Sequence, residues 1–143
     1  MVLLSFYNFD RTDRWWAFRQ MGLASDRLAD GPTPEFVKFL GTGAGQGFSM
    51  RPDFTTYAHL TVWSNADEAR AFLQSPITRD WQARAKAHAH LDLNPVKVHG
   101  KWNDQQPFPL METYEKGPLA VMTRARIRTA KLLDFWRHVP EAS

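Results

Sequence analysis

The chain contains no cysteine. That excludes disulfides, thiolate metal sites, iron–sulfur clusters and cysteine nucleophiles, so any metal would have to be held by His, Tyr, carboxylate or Met. Charge of one dominant sign is also missing. Eighteen Lys and Arg against fifteen Asp and Glu leave a net +3 over 143 residues, and the basic residues are scattered apart from Arg124, Arg126, Arg128 and Lys131. Phosphate binding wants a concentrated basic surface, so no nucleic-acid partner is expected. No apolar run approaches the roughly 20 residues of a membrane-spanning helix. The start, MVLLSFYNFD, lacks the basic opening and long apolar core of an export signal, and a cytoplasmic location is expected. There is no GxGxxG, and the glycine run Gly41, Gly43, Gly45 and Gly47 leads to a strand where a dinucleotide site would need a helix.

What is present is a succession of short elements. Val2 to Phe9 is apolar on both faces, which suits a central strand. Thr12 is a candidate cap for a helix with an aromatic flank at Trp15, Trp16, Phe18, Met21 and Leu23. FVKFLG reads as a second strand, and Phe54 to Trp63 as a third that alternates cleanly; the glycine-rich loop between them implies a hairpin. On the third strand Ala58, Leu60 and Val62 form a small aliphatic face suited to packing helices. Tyr57, His59, Thr61 and Trp63 form an amphipathic face of the kind that lines a cavity. Ser64 with Asp67 matches a capping box, and Ser75-Pro76 opens a further helix with Ile77, Trp81, Ala85 and His88 on one stripe. After Asn94-Pro95, VKVHGKW reads as the fourth strand, with Val96, Val98 and Trp102 on one face and Lys97, His99 and Lys101 on the other.

The order strand, helix, strand, strand, helices, strand is that of an α+β, ferredoxin-like split βαβ unit over residues 1–102. Its sheet carries helices on one face, so the other face needs a cover. Residues 103–117 have the Pro and polar content of a linker. Residues 120–140 can be laid without gaps on residues 3–23, matching Arg128-Thr129 to Arg11-Thr12 and Phe135 to Phe18; residues 118–143 therefore read as an incomplete second repeat, strand plus helix. A second ferredoxin-like sheet packed face to face would give a dimeric α/β barrel with a cavity between the sheets. The partner sheet could come from that second repeat or from another copy of the chain, a homodimer.

DRWWAFRQMGLA, the glycine-rich FLGTGAGQGF followed by RPDF, the strand ending LTVW, then VKVHGKWNDQQPF and GPLAVMTRARIRTAKLLDFWRHVP occur in an order that resembles the spheroidene monooxygenase family of carotenoid-oxygenating enzymes. The resemblance implies an oxidoreductase that uses O₂ to introduce a hydroxyl and then a keto group near the end of an acyclic carotenoid, with haem as cofactor. It also implies a complete second ferredoxin-like half, of which this sequence reaches only the beginning.

A haem iron without cysteine needs His, Tyr or Met. His59 is the first candidate ligand, because it lies mid-strand on the cavity-facing alternation; the competing reading is a hydrogen-bonded sheet residue. His88 and His90 sit near a helix end, His99 lies beside two lysines, and His138 falls in the second repeat. Tyr57, Trp63, Trp15, Trp16 and Phe48 are candidates for the walls of a substrate pocket, with core packing as the alternative for the tryptophans. Arg11 and Arg19 could meet propionates or simply solvent. No metal site is expected. A hydrophobic substrate makes peripheral membrane contact an expectation, although no basic amphipathic helix stands out. Two other readings stay open: a cofactor-independent oxygenase of the small α/β-barrel type, and a non-catalytic ligand-binding or dimerisation module.

Overall fold

The computed structural model describes residues 1–28, 31–43, 52–110 and 116–123. The elements are β1 (Val2–Asn8), α1 (Arg14–Arg27), β2 (Phe36–Gly43), β3 (Pro52–Val62), α2 (Ala66–Leu73), α3 (Pro76–Arg84) and β4 (Ala87–Leu93). They form one antiparallel sheet in the order β2-β3-β1-β4, with β1 between β3 and β4. This is the ferredoxin-like α+β arrangement.

Local chemistry explains the element ends. α2 opens at Asn65, whose side chain accepts from the Glu68 amide at 2.9 Å. The cap is therefore one residue beyond the expected Ser64, whose hydroxyl instead donates to Glu35 Oε1 at 2.8 Å. α3 has Pro76 at its first helical positions, where a missing amide hydrogen costs nothing. α1 begins at Arg14, with the Ala17 amide donating to the Asp13 carbonyl, so Asp13 rather than Thr12 closes the first turn.

Two expectations are corrected. The fourth strand is AHAHLDL at Ala87–Leu93, not VKVHGKW. α3 stops when the Ala85 amide bonds to the Trp81 carbonyl, and the Lys86 amide already reaches Asn8 of β1. The helical spacing of Ile77, Trp81, Ala85 and His88 continued the helix too far. Alternation in AHAHLDL and pairing along the whole of β1 decide the matter. Residues 96–102 form no strand; Trp102 makes an isolated bridge to Gln105 around Asn103 and Asp104, both at positive φ.

The faces of β3 are the reverse of those expected. Tyr57, Trp63 and His59 are buried under the helices with Trp81, Phe72, Ala69 and Ala17. Ala58, Leu60 and Val62 belong to the opposite face, where Val2, Phe36, Leu60 and Val62 are packed by Leu4, Leu40, Leu93, Trp102 and Phe108. The large rings go to the helix layer because they remove the most apolar area from water there, and their polar tips do not reverse that. Residues 118–123 form no strand, and 124–143, including His138, lie outside the described residues.

Candidate functional site

Across the sheet, Phe39, His59, Ser5 and His90 stand in one row on the helix-covered face, and Gly41, Tyr57, Tyr7 and His88 in the next. The His59 ring is enclosed by Trp81 at 4.3 Å, Phe39 at 4.6 Å and Tyr7 at 4.8 Å between ring centroids. Neither of its nitrogens has a hydrogen-bond partner among the described residues, and the same holds for the Tyr7 and Tyr57 hydroxyls and Trp81 Nε1. So many unpartnered polar atoms in one interior are unusual, because each costs free energy to bury.

The electrostatics follow from the enclosure. Burial, reinforced by His90, pulls His59 down to about 3, so its imidazole is neutral. Burial pushes Tyr7 up to about 12, with the nearby Ser5 and Thr78 hydroxyls opposing it only partly. His90 is also lowered, by burial first and by His88 second. Gln82 Nε2 donates to His90 Nε2 at 3.1 Å, which leaves Nδ1 to donate to Ser5 Oγ at 2.9 Å. His90 thus ties edge strand β4 to the centre of the sheet next to His59.

The opposite sheet face carries a cavity of about 620 Å³, within the range of small-molecule sites. Its floor is Val2, Leu60 and Leu93, and its walls include Trp102, Phe108, Leu119 and Met122 from the trailing segment. Trp102 packs edge-on to Phe36 at 5.6 Å and Phe108 at 6.3 Å. Lys97, His99 and Lys101 add a basic side, with His99 exposed beside the two lysines.

The sequence candidates are therefore distributed, not gathered. His59, Tyr57 and Trp63 lie in the helix-side core, and Trp16 packs there against Phe9 and Trp81. Trp15 points outward and meets Phe18 and Phe54. Phe48 lies outside the described residues. A haem plane beside His59 would need a flat open space next to a ring nitrogen, and three aromatic rings fill it; these surroundings do not fit haem. Among the described residues no group of three or more His, Asp or Glu is placed to hold a metal ion. Sequence reasoning missed Tyr7, Ser5, His90 and Trp81 as neighbours of His59. Strand parity could have placed Ser5 and Tyr7 on one face, but His90 needed β4 to be located first.

No family model matches the chain. It is 32% identical over 145 residues to the spheroidene monooxygenase of Cereibacter sphaeroides, covering 99% of this chain and 45% of that protein. It is also 32% identical to the Rhodobacter capsulatus enzyme of that name, covering 98% of this chain and 60% of the relative. The Rubrivivax gelatinosus spheroidene monooxygenase is 27% identical over 129 residues. The chain thus spans about half the length of the curated relatives it matches. Among solved structures, a mutant of SnoaB, a cofactor-independent oxygenase from Streptomyces nogalater, aligns with a TM-score of 0.41 and 13% identity over 64% of this chain and 90% of that one. Along nearly its whole length the chain is thus similar in sequence to the spheroidene monooxygenases.

Proposed function

We propose that the chain is part of an O₂-dependent monooxygenase that oxidises the terminal region of an acyclic carotenoid. The observation that carries this reading is the 32% identity along nearly all of the chain to proteins named spheroidene monooxygenase. The geometry adds a place for an apolar chain: the cavity on the open sheet face, walled by Val2, Leu60, Leu93, Trp102 and Phe108. A second ferredoxin-like sheet laid on that face, from a second copy of the chain in a homodimer, would close the cavity and cover Leu91, which is 44% exposed. Hydroxylation takes one oxygen atom of O₂ into the substrate and releases the other as water, consuming two electrons and two protons from an external donor.

Within that reading, the chain's own residues bind and exclude water. The apolar floor and the rings of Trp102 and Phe108 would order the polyene, and the basic side at Lys97, His99 and Lys101 would face its polar end. Haem remains the cofactor the family resemblance suggests, but the enclosure of His59 gives it no seat there. With His59 set aside as a ligand, the second reading is an oxygenase whose reaction at this chain needs no cofactor.

The test is incubation of the purified chain with an acyclic carotenoid, a reductant and ¹⁸O₂, with and without added haem, followed by mass spectrometry, an absorption spectrum and a size-exclusion volume. One ¹⁸O in the product supports monooxygenation. A Soret band accompanying turnover favours haem, and turnover without one favours the second reading. No labelled product under any of these conditions, from a folded dimer, would overturn the proposal for this chain.

A further inference from the structure

α1 is apolar on two opposite faces. Trp16, Ala17 and Met21 pack inward against the sheet. Trp15 (54% exposed), Phe18 (50%) and Leu23 (46%) point away from it. Phe54, at the start of β3, joins the outward group, with ring centroids 5.7 Å from Trp15 and 5.6 Å from Phe18. A helix with apolar side chains on both faces belongs between two apolar layers, and the described residues supply the inner one. Among the described residues the outward rings line neither of the two cavities.

The charges around them are mostly basic. The Arg14 guanidinium lies over the Trp15 ring at 5.3 Å, and Arg11 and Arg19 are exposed. Two neighbouring acids are ion-paired, Asp13 with Arg84 at 3.3 Å and Asp10 with Lys86 at 3.7 Å, while Asp53 stays an anion that accepts from the Thr55 amide at 2.8 Å. Aromatic rings interleaved with arginines on an exposed face match the interfacial layer of a bilayer, where the rings take the headgroup level and the guanidinium groups meet lipid phosphates. No helix among the described residues is long and apolar enough to cross a membrane.

We propose that the outward face of α1, with Trp15, Phe18 and Phe54 flanked by Arg11, Arg14 and Arg19, seats this chain on an anionic bilayer surface. Binding there is reversible and peripheral, and it does not depend on the oxygenase reading, since it rests on α1 and the start of β3 alone.

The experiment is co-sedimentation of the full chain with vesicles of mixed phosphatidylcholine and phosphatidylglycerol, compared with phosphatidylcholine alone. Binding to the anionic vesicles is expected to be at least about 10-fold tighter, given the exposed Arg11 and Arg19 and the half-buried Arg14. Trp15→Ser with Phe18→Ser should lose about 10-fold or more while the circular dichroism and size-exclusion volume stay unchanged. Arg11→Gln with Arg19→Gln alters only exposed side chains and should remove the preference for anionic lipid, which keeps the test decisive if the aromatic variant does not fold. Equal binding to both vesicle types, no binding, or an aromatic variant whose only change is from dimer to monomer would overturn the proposal; the last would assign the face to a protein interface. None of these readouts needs turnover, so they stand apart from the oxygenase test.

Discussion

Replacing His59 by leucine should leave the protein as stable or more stable at neutral pH, although His59 is among its most buried residues. Both ring nitrogens lack partners, and an unsatisfied buried polar group costs about 1–3 kcal/mol. Leucine removes that cost but gives up part of the ring contacts with Trp81, Phe39 and Tyr7. The pH dependence separates the two effects. Because the folded-state value of His59, about 3, lies below the ordinary 6.5, the unfolded chain binds the extra proton between those values. Stability is therefore intact above pH 6.5 and falls by about 1.4 kcal/mol for each unit below it, until about pH 3. Urea unfolding of the wild-type chain and His59→Leu at pH 7 and about pH 4.5 should show the variant losing roughly 2–3 kcal/mol less on acidification. An equal acid loss in both proteins, or a variant several kcal/mol less stable at pH 7, would refute the picture of an unpartnered neutral imidazole.

Trp81→Ala should be severe. The ring touches Tyr7, Phe9, Trp16, Tyr57 and His59, and its loss is expected to cost about 3–5 kcal/mol by thermal or urea unfolding, a large share of a small domain's stability. Asn65→Ala removes the cap on the Glu68 amide and should cost about 1 kcal/mol, with Asn65→Ser restoring most of it. Trp102→Ala should lower the unfolding midpoint, because the ring packs on Phe36 and Phe108 over the second cluster, and it should weaken binding of an apolar fluorescent dye to the cavity it walls.

The helix–sheet alternation, the central place of β1 and the β2–β3 hairpin were legible in the residues because each depends on local pattern. The end of α3 was not. Ala85, Lys86 and Ala87 have no breaker among them, and the strand that follows exists because β1 offers a free edge, information that lies far away in sequence. The faces of β3 were misread for a related reason. Tyr57, His59 and Trp63 carry polar atoms, which suggested a wet wall, but ring area sets where they pack. His59 was read as a haem-ligand candidate or a hydrogen-bonded sheet residue, and neither reading foresaw a buried ring whose nitrogens lack partners among the described residues. Its neighbours Ser5 and His90 could be named only after the register was known. The cavity was invisible because its walls come from the segment read as a strand and a linker.

The position of β1 has a kinetic consequence. Its ladder with β3 joins residues about 50 to 60 apart, and its ladder with β4 joins residues about 80 to 90 apart, whereas β2 and β3 are neighbours in sequence. The hairpin can therefore form while the sheet is still open, and the β1–β4 ladder, which closes the longest loop, is expected to pair last. A chain halted before that last step would present the free edge of β1, with Leu4 and Phe6 beside it. The span from Ala87 to Leu93 would then be the segment on which clean folding, as opposed to sticking to a neighbour, depends.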